Sequence, residues 1–472
     1  MRRHFRSLAI AITLALCATS TPAYAEVDDY LANITLDKDT WLVLAAEQSR
    51  DGVHSQLSLQ PGSVGVGEKR GQWMQCASAE DPTCSSAVAL KTIIGSSVLP
   101  YCEATESEVC VESLKIGRVG EDLPSATYMA EYAGRQDFPG SEKKNLLDGR
   151  GVPVFESASV SNEAGNRQFA VMVRATQFWS TKSKKFEPFS VEAEVLPYFI
   201  GPKGEGAGAC LFQIEQSCAK PADFLPGTRL EIAFRVPNSV GGWFSGRMKD
   251  PTISVRAINS DVNLITIASE PVEVAALGLV KKKADFTGPE NMWVENNGKW
   301  QTNGGIATGA NGWQPNIFPF IENYRSQAKD TSIGTNLVWK MRTISSGSGS
   351  GCLADKSKVL GIVTTNALGY DGSSPAFKNG FLEYKVAGLH YMPNGTDLVI
   401  GTYDLVMRSE TARCLYKFSK APLSATVSVT GGAEKNVATT IVSEKNGWLK
   451  MAAYGFTFSK KTIKVKISKK KK

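Results

Sequence analysis

From residue 100 onward, apolar and polar residues alternate with a period of two. The alternating segments are 109–116, 126–132, 168–176, 189–199, 230–236, 253–258 and 262–267. Clusters of Pro, Gly, Asp and Ser punctuate them at the interval expected of strands in a β-sandwich. After Lys281-Lys282-Lys283, which reads as a linker, a second series follows at 336–342, 358–364, 380–386, 402–406, 425–429, 438–442, 448–456 and 462–467. No window in this region carries a 3.6-residue apolar face of helix length. Residues 26–99 are mixed. Short strands are expected at 41–44 and 57–59, a glycine-rich turn at 62–71, and either strand or helix at 87–94. The pattern predicts an all-β protein with two β-sandwich-like domains, at 100–280 and 285–472, behind an N-terminal segment at 26–99.

The stretch from Cys210 to Asn259 contains most of these signals in one place. A cysteine loop leads through Pro226-Gly227 into a strand at 229–236. A glycine-rich turn packed by Trp243 is expected at 238–246, and another strand at 252–258. Arg247, Lys249 and Asp250 are its candidate functional polar residues.

The first 25 residues read as an export signal. Arg2, Arg3 and Arg6 precede a short apolar run from Leu8 to Ala18, and Ala23-Tyr24-Ala25 offers a cleavage site. No later stretch has the eighteen or more apolar residues that a spanning helix needs. The expectation is a secreted or extracellular protein associated with the cell wall or released.

The charge picture shifts once this segment is set aside. The net charge of +7 falls to +4 without the three arginines. The ending SKKTIKVKISKKKK holds eight lysines and no acid, so the body before it sits near −4. Charge therefore argues against nucleic acid as a partner. The lysine tail has two readings. It protects an edge strand at 462–467 from pairing with neighbours, or it makes weak electrostatic contact with an anionic surface.

Eight cysteines remain after the signal, an even number suited to an oxidising compartment. Cys76/Cys84, Cys102/Cys110 and Cys210/Cys218 share one spacing, with seven residues between partners, and Cys352 and Cys414 remain. The repeated spacing predicts three local disulfides and one long bridge. Zinc would need C-x₂-C pairs or nearby histidines, and the sequence has neither, so no metal site is expected.

Catalytic signatures fail in turn. Only His54 and His390 follow the signal, and there is no G-x-S-x-G elbow. Ser326-Gln327-Ala328-Lys329 matches S-x-x-K without its companion motifs. Asp37-Lys38-Asp39 lacks the glycine of a calcium loop, and Gly204–Gly208 lacks the spacing of a dinucleotide fingerprint. No cofactor and no catalytic residue is assigned. Glycoside hydrolysis asks only for two carboxylates, and Glu290, Glu295 and Glu322 stand in or beside a tryptophan-rich stretch.

That stretch supplies the candidate ligand-binding residues Trp293, Trp300, Trp313, Asn297, Asn311 and Gln314, with Phe318 and Phe320 nearby. Rings stack on sugar C–H faces and amides satisfy hydroxyls. The same aromatics also read as the core of a region poor in aliphatic residues, where Trp usually packs. Asn297-Gly298, Asn311-Gly312 and Asn446-Gly447 each precede a tryptophan by one or two positions and predict tight turns.

Three longer strings carry a resemblance. They are CVESL at 110–114, the CLFQIEQSC to GRMKDP stretch at 210–251, and a C-terminal set including GLHYMPNGT and VSEKNGWLKMAAYGFTFSKKTIKVKI. In these the chain resembles a set of secreted bacterial proteins, actinobacterial in type, with no assigned activity. The resemblance implies an exported or envelope-associated β protein and brings no catalytic residues. The function expected is a non-catalytic module binding wall polymer, glycan or another surface protein. The alternative is a secreted carbohydrate-active hydrolase using paired carboxylates.

Overall fold

The computed structural model describes residues 27, 30, 33–35, 39–47, 53–61, 74–82, 91–104, 108–133, 137–202, 210–285, 301–302, 305–309, 317–344, 351–417, 423–430, 439–458 and 461–469. Strands dominate, as the alternation predicts. Of the ambiguous 87–94 segment, 91–94 belong to the strand Lys91–Val98 and 87–90 lie outside the described residues; Cys210–Cys218 staples the hairpin formed by Phe212–Ile214 and Ser217–Pro221.

A long main sheet runs through the molecule. Its path is Met74–Gln75, Gln56–Pro61, Lys91–Val98, Gln168–Ser180, Lys185–Pro202, Gly334–Thr343, Gly242–Arg247, Val359–Thr365, Ile400–Arg408, Trp448–Thr457 and Thr439–Lys445. Neighbours are antiparallel except Gly242–Arg247 and Val359–Thr365, which run parallel. Strands from before and after Lys281–Lys283 therefore share one sheet.

Two smaller sheets cover opposite faces of the main one. Lys249–Ala257, Val262–Glu270, Thr228–Pro237 and Val111–Arg118 form a four-stranded sheet in that order. Ile232, Phe234, Ile265 and Ile267 pack from it against Val171, Val195, Phe244 and Trp339 of the main sheet. The C-terminal sheet pairs Phe381–Ala387, Lys461–Lys469 and Leu423–Thr430. Tyr384, Val386, Ile463 and Val465 of that sheet pack against Trp243, Leu405 and Met451 of the main sheet. Each fully buried apolar side chain is worth about 1.5–3 kcal/mol.

Trp243 and Phe244 are consecutive, so they point to opposite faces and enter different cores. The expected turn at 238–246 is therefore a strand over most of its length. Every residue of Gly242–Arg247 is buried. With both faces covered, its side chains show no apolar–polar alternation, so period-two reading passes over it.

Three other expectations change. The lysine-rich strand Lys461–Lys469 is interior, hydrogen-bonded on both sides, so its lysines protect no edge. Among the described residues beyond position 100, two short α-helices occur, Ile317–Arg325 and Ser409–Tyr416, each too brief to show a sustained apolar face. Val152–Glu156 and Val272–Lys282 are strands that the alternation did not reveal, because both are largely buried. Val272–Lys282 carries the N-terminal strand Thr40–Ala46 on its second half.

Cys102–Cys110 and Cys210–Cys218 are disulfides with Cα separations of 5.0 and 5.3 Å. Cys352–Cys414, at 6.0 Å, ties the helix Ser409–Tyr416 to the turn Gly351–Leu353. Cys76 is also disulfide-bonded, while Cys84 lies outside the described residues. Asn446 and Gly447, with φ of 52° and 79°, make the tight turn expected between Thr439–Lys445 and Trp448–Thr457. No helix among the described residues is long and apolar enough to cross a membrane.

Candidate functional site

Trp293, Asn297, Trp300, Asn311, Trp313 and Gln314 lie outside the described residues, as do Glu290 and Glu295. On the helix Ile317–Arg325, Phe320 is fully buried, Phe318 half-buried and Glu322 exposed. Phe320 packs with Val43, Leu277 and Leu389, so its role is core. The S-x-x-K segment falls in the turn after this helix, where Lys329 has a φ of 53°. Ser326 and Lys329 close a hydrogen-bonded turn there and do not lie on an α-helix.

Arg247 is completely buried. Its Nε donates to Glu47 Oε2 at 2.9 Å, and its terminal nitrogens donate to the carbonyls of Thr365, Ala367 and Leu368. The guanidinium lies 4.5 Å from the Tyr370 ring centroid. Lys340 makes a second ion pair with Glu47. Burial pushes the Glu47 carboxyl up, but the two cations outweigh it and hold it below its ordinary range. Glu194, also beside Lys340, is raised by burial. Arg247 thus fastens the N-terminal strand to the main sheet, and its role is structural.

Lys249 and Asp250 belong to a network between the main and four-stranded sheets. Asp404 is fully buried, and Tyr454 and Lys450 flank it diagonally on the next strand. Tyr454 donates its hydroxyl to Asp404 Oδ1 at 2.5 Å, and the Asp250 amide donates to Oδ2 at 3.3 Å. Lys450 reaches both carboxylates, at 3.9 Å from Asp404 and closer to Asp250. Arg229 pairs with Asp250 at 3.0 Å, and Lys249 pairs with Glu270 at 2.9 Å. Burial raises the Asp404 carboxyl to about 7, against the downward pull of Lys450. These carboxylates are already engaged with cations and donors, which is the arrangement of a joint between layers.

Beside this network opens a cleft of about 350 Å³. Lys249, Glu270, Glu273, Asn366, Thr402 and Tyr454 supply its polar lining, with Thr402 and Tyr454 directly across from each other on paired strands. Asn366 ties three of the lining segments together. Its Nδ2 donates to the carbonyls of Glu273 and Ile400, and its Oδ1 accepts from the Thr402 amide at 2.7 Å. Apolar surface comes from Pro271, Val272, Leu337 and Ile400.

The second candidate surface is the outer face of the C-terminal sheet. Leu382, Tyr384 and Val386 point inward, so Phe381, Glu383 and Lys385 point outward. Lys378 lies directly across from Phe381 on Ala376–Lys378, and Glu383 across from Lys464. On Lys461–Lys469 the inward residues are Ile463, Val465 and Ile467, leaving Lys464 and Lys466 outside. Both lysines lie over the Phe381 ring, at 5.9 and 5.6 Å from its centroid. Glu383 pairs with Lys464 at 3.0 Å, and Lys378, Lys385 and Lys466 share its face. Sequence reading saw the lysines of this strand but assigned them to a tail or an edge. Register places them on a sheet face with an aromatic ring among them.

No group of three or more potential metal-ligating side chains occurs among the described residues. No protein family, curated protein or solved structure matches the chain.

Proposed function

We propose that this chain is a non-catalytic exported module that holds to an anionic polymer of the cell envelope through the outer face of its C-terminal sheet. The observation that carries this reading is the pair Lys464 and Lys466 over Phe381, with Lys378 and Lys385 on the same sheet face. Because the strand is interior, these charges have no part in edge protection. Ammonium groups spaced along a sheet match phosphates or carboxylates spaced along a polymer, and the ring offers a surface for the sugar or polyol between them. The carboxylates of the interlayer joint are committed to internal partners, which favours binding over hydrolysis. Export itself rests on the leading 25 residues and on the disulfides.

The test is cosedimentation with isolated cell wall, and titration with poly(glycerol phosphate) against neutral dextran, at low and high salt. Wild-type protein is expected to bind the phosphate polymer and lose it as salt rises. Changing Lys378, Lys385 and Lys466 to Gln together is expected to weaken binding about tenfold or more. Equal affinity for dextran, or an unchanged affinity in the triple variant, would sink the proposal.

A further inference from the structure

We propose that the cleft between the main and four-stranded sheets binds a primary ammonium carried on a saturated carbon frame, with Glu273 as its counter-charge. The inference is independent of the lysine-rich face and uses different residues.

Two glutamates line the cleft, and their surroundings differ. Glu270 is compensated by Lys249 at 2.9 Å and Arg229 at 3.8 Å. Glu273 receives the Thr335 hydroxyl on Oε1 at 2.8 Å, and among the described residues no cation pairs with it. Burial accordingly pushes its carboxyl above the ordinary range, with the Thr335 bond as the only opposing influence. A half-buried carboxylate without a cation is costly, and an incoming ammonium removes that cost. Thr402 supplies a second polar contact. Its Oγ1 is sheltered from solvent with no hydrogen-bond partner among the described residues, and Thr402 lines the same cleft as Glu273. An ammonium has three protons to donate, so Glu273 and Thr402 can both accept from it.

The rest of the cleft suits the carbon frame. Val272, Pro271, Leu337 and Ile400 provide apolar surface. A volume of about 350 Å³ is at the small end of the range for ligand pockets, suited to a lysine side chain or one amino sugar. Asn366 spends its amide on the backbone, so it holds the lining in place and leaves ligand contact to Glu273 and Thr402.

Both sources of the ammonium are tested with defined probes on the full mature chain. Nα-acetyl-lysine methylamide is compared with its norleucine counterpart, and methyl glucosaminide with methyl glucoside, by calorimetry and NMR. Saturable binding of one amine, at least about tenfold tighter than its neutral partner, is expected. The amine that binds identifies the source as peptide or sugar. Glu273→Gln keeps the acceptor for Thr335 and is expected to lose that preference. Thr402→Val is expected to weaken it and serves if Glu273→Gln does not fold. Absence of binding by either amine, or unchanged affinity in every folded variant, overturns the proposal.

Discussion

Glu47 and Arg247 stand 200 positions apart in the chain and meet as a fully buried ion pair at 2.9 Å. Arg247 caps three carbonyls of the 365–368 segment as well, so one side chain joins the N-terminal strand, the centre of the main sheet and the start of the C-terminal region. Arg247→Met is expected to cost about 3–5 kcal/mol, because it strands those carbonyls and leaves Glu47 with Lys340 alone. Urea denaturation measures this, and a wild-type midpoint would show that the pair is energetically idle.

Asp404 makes stability depend on pH in a definite direction. Its folded carboxyl sits at about 7 against an ordinary 3.8. The folded state therefore holds this proton more tightly than the unfolded state does. The favourable contribution is complete below the unfolded value and disappears as pH rises through about 7, a loss on the order of 4 kcal/mol. Asp404→Asn is expected to flatten this part of the profile and to gain stability relative to wild type above neutrality. Thermal melts between pH 4 and 9 with parallel slopes for both proteins would contradict it.

Gly361 is needed for close approach. A Cβ there would stand 2.4 Å from the Val406 carbonyl oxygen and 2.7 Å from Cζ3 of Trp243. Gly361→Ala is expected to cost about 1–3 kcal/mol by forcing the sheet or the indole to move. Adding Trp243→Phe should recover part of the loss, which a double-mutant cycle in denaturant reads directly.

Cys352–Cys414 closes a loop across 62 positions. Replacing both with serine is expected to cost about 4 kcal/mol, mainly through the unfolded chain. Non-reducing peptide maps should return this pair together with Cys102–Cys110 and Cys210–Cys218; exchanged partners would refute the pairing.

Much of the architecture was legible because one buried face leaves alternation in the sequence. Thr228–Pro237 and Val262–Glu270 fall where period-two reading put them. Asn446-Gly447 forms its turn because both residues tolerate positive φ, a purely local property. The 210/218 spacing likewise encodes a stapled hairpin within nine residues. Gly242–Arg247 was not legible. Burial on both faces erases alternation, and its glycines read as turn chemistry.

The candidate sites divide the same way. The sequence by itself determined a β protein with local cysteine loops and a basic end. It could not place the lysines of 461–469 on an interior strand, since that depends on hydrogen bonds to Phe381–Ala387 and Leu423–Thr430. Nor could it distinguish Glu273, with no paired cation among the described residues, from Glu270, which has two. Strand formation is set by neighbours in the chain. Strand partners, and the charges they bring together, are set by contacts between residues far apart in sequence, and only the tertiary structure decided those.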